Sequence, residues 1–308
     1  MAQLTTWDEI TASTLTSHAS IREDLQDGIY NVSPYETPLL SRLRQVPVTN
    51  QFVQWQVDAF RAAALNAAIE GIAFTAKAVV VPTRASNIAQ IFYEGAQISD
   101  VERAVTHAGM DDPVTYFEGK KLVELKKDIE LALVKGSAIT GTTGTACSMN
   151  GFMNCLSTNK TNLSGITFTE SIFTNLMQLG WGNSDVHPTD VFVGPQLKRT
   201  ISNYSTRVTP FIDAQTKKQI VTVSQYESDF GIVNVHLHRN LTSSASSTNE
   251  FLCIDPNWFA TGWLQTVKRE ILPRDGIRTN FQMSAHLTLL YRHEAAGIAA
   301  ALVQAYVP

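Results

Sequence analysis

The longest regular pattern of apolar and polar positions lies between residues 111 and 137. Apolar side chains recur there near helical spacing, and charged side chains occupy most positions between them, which is typical of an amphipathic helix. Asp111 or Asp112 can cap the first turn, Pro113 suits a first-turn position, and Gly136 favours an end. At about 1.5 Å per residue, this pattern predicts one rod roughly 40 Å long.

Residues 48–95 alternate between apolar and polar side chains instead. The alternation is clearest over residues 51–58, and further strand-like stretches follow at 78–81 and 88–93. Between them lies an Ala-rich, weakly hydrophobic tip that contains the turn Glu70-Gly71. The pattern predicts a long two-stranded excursion. Because an isolated hairpin is only marginally stable, we expect this one to dock on a neighbouring subunit.

Residues 1–50 are rich in Thr and Ser and have weak periodicity. A short helix is predicted over residues 20–29, and two prolines favour extended or turn geometry at Ser33 and Thr37. The segment carries too little apolar surface to fold alone. We interpret it as an arm that lies on another surface.

The rest of the chain mixes both periodicities. After a Gly-rich crossover at 137–165, the pattern predicts an α/β or α+β domain with a small sheet. Residues 294–302 are compatible with either a helix or a strand. The predicted helices are residues 169–179 and 195–204, and the predicted strands are residues 190–194, 220–223, 233–238, 250–255, 258–264 and 282–291.

The composition favours an assembling protein over a solitary one. Charged residues make up only 17% of the chain, against about 25% in typical soluble domains. A net charge of −4 argues against a dedicated nucleic-acid binder. The N-terminus is polar, and no stretch approaches the ~20 apolar residues that cross a bilayer. We therefore expect a protein made in the cytoplasm, with no membrane partner.

No constellation of catalytic, cofactor-binding or metal-binding residues is evident in the sequence. The three cysteines form no CxxC pair. His236 and His238 lie on one face of a predicted strand, but no third ligand can be placed, so we interpret them as polar residues on a solvated face. Capping and turn formation explain the acidic pairs. The sequence predicts neither an enzyme nor a cofactor.

Several segments, in this order, resemble the coat proteins of tailed bacteriophages with the Hong Kong 97 type of fold. They are most similar to one branch, the major head proteins of the SU-ten-like podophages. The matching residues are Ile-Tyr-Asn-Val-Ser-Pro-Tyr-Glu-Thr-Pro-Leu-Leu at 29–40, Gln-Trp-Gln-Val-Asp at 54–58, Ala-Ala-Ile-Glu-Gly at 67–71, Ser-Asp-Val-Glu-Arg-Ala-Val at 99–105, Glu-Leu-Lys-Lys-Asp-Ile-Glu at 124–130, Tyr-Glu-Ser-Asp-Phe-Gly at 226–231 and Ile-Asp-Pro at 254–256.

The resemblance implies an α+β chain with five parts. These are an N-terminal arm (1–50), an extended loop (51–95), a peripheral domain (96–150) with the 111–137 helix as its spine, an axial domain (151–245) and return strands that complete the peripheral domain (246–308). Such a chain is expected to self-assemble into the hexamers and pentamers of an icosahedral head that encloses double-stranded DNA. It would form part of the virion and assemble in the host cytoplasm.

The resemblance also implies partners. A separate scaffold protein, a portal and, in some heads, a decoration protein are expected. Contacts with neighbouring subunits are expected from the arm and the loop without covalent cross-links, although some members of the fold cross-link through a loop lysine in the region of Lys77. The contact residues are Tyr35, Trp55, Arg61, Glu70 and Lys77.

Two interpretations fit the basic residues Lys120, Lys121, Lys126 and Lys127. They can form a solvated helix face that pairs with Glu124, Asp128 and Glu130, or an inner wall that meets packaged DNA through phosphate contacts. The two are compatible. Alternatives for the whole chain are another phage structural protein, such as a tail-tube or decoration protein, and an α/β enzyme whose site is not recognised.

Overall fold

The computed structural model describes residues 36–164, 166–184, 186–204, 212–213, 218–219, 225–242 and 248–304. Its helices are α1 (Pro38–Arg42), α2 (Asp100–Ala104), α3 (Pro113–Lys135), α4 (Phe152–Cys155), α5 (Glu170–Asn183) and α6 (Pro195–Tyr204). Its strands are β1 (Arg44–Pro47), β2 (Phe52–Val57), β3 (Thr83–Ile88), β4 (Gln90–Ser99), β5 (Lys160–Asn162), β6 (Asp190–Val193), β7 (Ile212–Asp213), β8 (Lys218–Gln219), β9 (Gln225–Ser228), β10 (Gly231–Leu237), β11 (Thr248–Ile254), β12 (Phe259–Leu272), β13 (Arg278–Tyr291) and β14 (Gly297–Gln304).

The predicted amphipathic helix is confirmed as α3, which has 23 residues. The Asp112 carboxylate accepts from the Val114 amide at 3.2 Å, and Pro113 occupies the first turn, where a missing N–H costs nothing. At the other end, a Cβ on Gly136 would lie 2.5 Å from the Ala132 carbonyl oxygen and 2.6 Å from that of Met149. The close approach of two backbones therefore requires glycine there.

The first sheet has four strands in the order β1-β12-β13-β4. β1 runs parallel to β12, and the other neighbours are antiparallel. α3 packs on this sheet through Leu125, Ile129 and Leu133, which meet Phe92 and Phe281 in a common apolar core. Burial of this stripe fixes the long helix across the sheet.

The second sheet has six strands in the order β5-β14-β11-β6-β10-β9. β6 is buried along its whole length, and α5 and α6 contribute Phe173 and Leu197 to a second apolar core. This confirms a mixed helix-and-strand region after the Gly-rich crossover. Thr169 caps α5 as expected, because its hydroxyl accepts from the Ile172 amide.

The last part of the chain divides between the two sheets, which the sequence interpretation missed. β12 and β13 complete the four-stranded sheet, but β11 and β14 lie in the six-stranded one, where β11 pairs with β6. The physical reason is burial on both faces, since four consecutive residues of β11, from Phe251 to Ile254, are fully buried. Of the two alternatives for residues 294–302, the strand is correct after a single turn at Glu294–Ala296.

The two-stranded excursion exists, but its second strand lies elsewhere than predicted. β2 pairs with β3 from Phe52↔Ile88 to Val57↔Thr83, so residues 78–81 do not form the partner strand. The strand predicted at 88–93 exists, but only Ile88 pairs with β2, and residues 90–93 belong to β4. Asn87 sets this corner, because its side chain donates to the Leu289 carbonyl at 2.8 Å and to the Asn150 carbonyl at 3.1 Å. The chain then enters β4, which pairs with β13.

The predicted arm helix over 20–29 and the predicted strand at 220–223 lie outside the described residues. The described chain starts just before Pro38, which opens the short helix α1 that the sequence interpretation missed. In the part of the chain that the structure describes, no helix is long and apolar enough to cross a membrane.

Candidate inter-subunit surfaces

The loop between β2 and β3 has all of its residues, 58–82, exposed. Its large apolar side chains are between 43% and 104% exposed. A contiguous apolar surface of this kind usually marks a contact site for another protein. The side chains are Phe60, Leu65, Ile69, Ile72, Phe74, Val79, Val80 and Val81.

The base of this loop is fixed to the four-stranded sheet through Trp55. Its indole Nε1 donates to the Tyr291 carbonyl at 3.0 Å, and the two rings meet edge to face at 4.9 Å. The Tyr291 hydroxyl in turn donates to the Ser86 carbonyl at 3.0 Å. Trp55 thus anchors the hairpin to its own chain, so the loop projects from a rigid base.

The other expected contact residues lie further along the loop. Arg61 and Glu70 are exposed, and Glu70 precedes Gly71, whose φ of 78° suits the turn at the tip. Lys77 hydrogen-bonds Asn66, which joins the two limbs of the loop. Tyr35 lies outside the described residues. A contact of any of these with another subunit stays a prediction.

A cleft of about 1030 Å³ separates the base of the loop from the end of α5. Phe60 and Arg61 border it on the loop side, and Trp258, Arg292 and His293 border it on the body side. The loop therefore stands clear of its own subunit at this point.

The four lysines in the middle of α3 do not share one face. Lys121 pairs with Glu124 at 2.7 Å and Glu94 at 3.0 Å, and these hydrogen bonds, Glu124 first, raise its pKa. Lys120 and Lys126 are exposed. Lys127 is partly buried and borders a small cavity beside Glu130. The predicted pairing with Glu124 is confirmed for Lys121.

Pairing of a lysine with Glu130 was wrongly predicted, because Glu130 is only 2% exposed and binds elsewhere. Its Oε1 accepts from the Leu39 amide at 2.8 Å, and its Oε2 accepts from the Leu40 amide at 2.9 Å. The Nε2 of His238 lies 2.8 Å from Oε1. One carboxylate from α3 thus caps the first turn of α1.

A second carboxylate, Asp190, holds the other end of α1. Its Oδ1 lies 2.9 Å from Arg42 Nη1 and 3.0 Å from His236 Nε2. His238 is 2% exposed, so the interpretation of both histidines as residues of a solvated face is wrong. We call the set formed by the amides of Leu39 and Leu40 with Arg42, Glu130, Asp190, His236 and His238 the arm junction. The signal in the sequence was that Glu130 lies at helical spacing from the apolar residues Leu133 and Val134, which indicates a buried acidic side chain but does not identify its partners.

Comparison with known proteins identifies the family. The model of the SU10 major capsid protein matches residues 5–303. The chain belongs to the SU10 major capsid protein family. Members of this family are structural proteins of the virion and not enzymes, so this chain is a major capsid protein of a tailed phage.

Relatives and solved structures agree with the family. The major capsid protein of Escherichia phage Phieco32 is 28% identical over 110 residues, which span 35% of this chain and 31% of that protein. The chain thus matches about a third of that relative's length.

Two solved structures show the fold. The match to the capsid asymmetric unit of cyanophage A-1(L) covers 94% of this chain and 99% of the phage chain, at 12% identity and a TM-score of 0.71. The match to the capsid of a native GTA particle covers 95% of this chain and 99% of the GTA chain, at 10% identity and a TM-score of 0.66. The α+β fold of this chain is accordingly the Hong Kong 97-like capsid fold.

Proposed function

We propose that copies of this chain form the hexamers and pentamers of an icosahedral head that encloses double-stranded DNA, and that the loop of residues 58–82 lies over a neighbouring subunit. The single observation that carries the proposal is the full exposure of this loop with its apolar side chains. Its four charged residues, Asp58, Arg61, Glu70 and Lys77, sum to zero. Burial of such a surface against another copy is favourable at about 25 cal/mol per Å² of apolar area.

In this assembly, the four-stranded sheet with α3 forms the peripheral domain, and the six-stranded sheet with α5 and α6 forms most of the axial domain. The rigid attachment of the hairpin base through Trp55 supports the placement of the loop over a neighbouring subunit, because a loop held at its base reaches a fixed position on that subunit. Contacts from Arg61, Glu70 and Lys77 would then add polar specificity at its rim.

Further partners follow from the same proposal. A separate scaffold protein would guide assembly in the host cytoplasm, a portal would occupy one vertex, and a decoration protein could cover the outer surface. Packaged DNA would meet the inner wall through non-specific phosphate contacts. The exposed side chains of Lys120 and Lys126 support such contacts.

The direct test replaces residues 58–82 with Asn-Gly. Val57 and Thr83 are directly paired in the antiparallel ladder, so a two-residue turn can close the hairpin without disturbing β2 or β3. We expect a folded subunit that no longer assembles. Negative-stain images of the unchanged chain should contain shells or capsomers, and those of the variant should contain none.

The matched control is Thr75→Ser, a change at an exposed polar residue of the same loop that preserves the apolar limbs and the charged residues and should preserve assembly. Circular dichroism checks that both variants are folded. Shells formed by the shortened chain would refute the clamp. Tubes from the unchanged chain would favour a tail-tube protein, and a compact monomer would refute self-assembly.

A further inference from the structure

Both ring nitrogens of His238 have hydrogen-bond partners, and these partners indicate the tautomer of the ring. The Asn240 amide donates to Nδ1 at 3.2 Å. A ring nitrogen that accepts an N–H carries no proton, so the ring proton lies on Nε2 and is donated to Glu130. The turn at Arg239–Leu241, which follows β10, therefore fixes the direction in which the ring holds the Glu130 carboxylate.

Both ends of α1 connect to the same strand through a carboxylate. Leu39 and Leu40 connect through Glu130 to His238, and Arg42 connects through Asp190 to His236. His236 lies in β10 and His238 directly follows it in extended conformation, so the two side chains, two residues apart, lie on the same side of the chain. The position of β10 thus determines where both carboxylates can hold the arm.

α1 depends on these contacts for its existence. It has five residues, and Thr37 at its start makes no side-chain cap. An isolated helix of this length is unstable in water. The Leu39 side chain is fully buried, but the orphan amides of the first turn find their acceptor only in Glu130 among the described contacts.

We propose that the arm junction is a latch that couples the arm to the position of the six-stranded sheet on α3. While β10 keeps its place, His238 holds Glu130 toward α1 and residues 36–47 stay on their subunit. A shift of β10 along α3 removes the ring from Glu130 and the acceptor from α1, so residues 36–47 are released. Glu130 and His238 act as positioning residues.

The surroundings of Glu130 permit this movement. A cavity of about 100 Å³ lies beside it, bordered by Glu36, Lys127 and Arg239 as well as by the two partners. A polar cavity of this size has room for a few waters. Water can therefore replace His238 at the carboxylate when β10 moves, which avoids leaving a buried charge without donors.

The test measures hydrogen exchange of the full chain by mass spectrometry. Among the described residues, His238 makes no hydrogen bond to residues 36–47, yet His238→Ala should speed exchange of residues 36–47 at least about tenfold, because the acceptor of two amides loses its orientation. Leu237→Ala is the matched control. Leu237 neighbours His238 on the same strand and is 51% exposed, so exchange in the arm should not change.

The second measurement tests whether the coupling between residues 36–47 and β10 acts in both directions. Arg42→Ala, a substitution at a half-exposed residue, should speed exchange in the arm and also in β10, by about threefold in each, because coupling acts in both directions. His238→Gln is measured as well, in case His238→Ala folds poorly. This variant keeps an N–H donor toward Glu130, so residues 36–47 should exchange as slowly as in the unchanged chain. Unchanged arm exchange in His238→Ala would overturn the latch. An equal rise in α5 and β13 would show a general loss of stability instead, and an effect of Arg42→Ala confined to the arm would overturn the coupling.

Discussion

Residues 36–47 and residues 58–82 both carry too little internal structure to fold alone, but their surroundings differ. The first segment is held by its own subunit, through the buried carboxylates Glu130 and Asp190 and through pairing of β1 with β12. The second is exposed throughout and carries large apolar side chains with no net charge. Directional polar bonds fix a segment at one place in its own chain. An exposed apolar segment instead requires a surface that its own chain does not supply.

The largest effect expected from this comparison follows substitution of Glu130 by Ala. The change leaves the Leu39 and Leu40 amides and the His238 N–H without their acceptor in a buried site. Loss of one partner from such a network typically costs about 3–5 kcal/mol of unfolding free energy. Urea denaturation of the full chain, kept below the concentration at which light scattering detects assembly, measures it.

Phe60→Ala provides the contrasting measurement in the loop. Its side chain is fully exposed, so the free energy of unfolding of the subunit should change by less than about 0.5 kcal/mol although a large aromatic group is lost. If Phe60→Ala destabilises the subunit as much as Glu130→Ala, the loop packs on its own chain and the contrast between the two segments is wrong.

Sequence periodicity predicted the elements that depend on local contacts. α3 follows from its cap, its proline and its apolar spacing, α6 follows from Pro195 at its start, and β6 follows from a short apolar run. Glu130 was misinterpreted because a polar residue in an amphipathic helix normally faces water. Its partners Leu39 and His238 are 91 and 108 positions away, and no local pattern indicates contacts at such separations.

Strand partnership was also beyond the reach of local patterns. β11 and the first half of β12 are both rich in apolar residues and the strands are separated by four residues, yet they join different sheets. The pairing of β11 with β6 and of β12 with β13 decides which sheet each strand joins, and this pairing arises from tertiary packing. The loop was predicted only in part, because the Ala-rich tip with the turn Glu70-Gly71 was recognised but the apolar run 78–81 was taken for a strand.

Glu294 provides an intermediate case, a partly exposed carboxylate that holds the segment before β5. It accepts from the Thr158 amide at 2.6 Å and from the hydroxyls of Ser157 and Thr158 at 3.0 Å each. Burial alone would raise the pKa of Glu294, but the hydrogen bonds from Thr158 and Ser157 outweigh it and lower the pKa. We expect Glu294→Gln to cost about 1 kcal/mol at pH 7.

The pH dependence of this difference has a definite sign. The pKa of Glu294 is lower in the folded chain than its ordinary value of 4.5, so the charged form is stabilised by folding. Its contribution is complete above pH 4.5 and disappears as the pH falls through the folded value. Urea denaturation of both chains at pH 7, 5 and 3.5 checks this. A difference that persists undiminished at pH 3.5 would contradict the hydrogen-bond account.

The smallest effect on stability is expected from substitution of Lys120 and Lys126, two exposed lysines of α3. These substitutions distinguish contacts within the chain from contacts with DNA. Lys120→Gln combined with Lys126→Gln should change the unfolding free energy by less than about 0.5 kcal/mol and should spare the assembly of empty shells. Lys121→Gln is the control, because Lys121 is engaged by Glu94 and Glu124, and its loss should cost about 0.5 kcal/mol.

If Lys120 and Lys126 meet packaged DNA, their loss weakens a contact that salt also weakens, since each phosphate contact releases counterions. Heads filled with DNA and carrying both substitutions should then release DNA at a lower salt concentration than unchanged heads, whereas Lys121→Gln heads should not. Release at the same salt concentration in all three would remove these lysines from the inner wall. Failure of the double variant to form shells would instead place them, like the loop, at a contact between subunits.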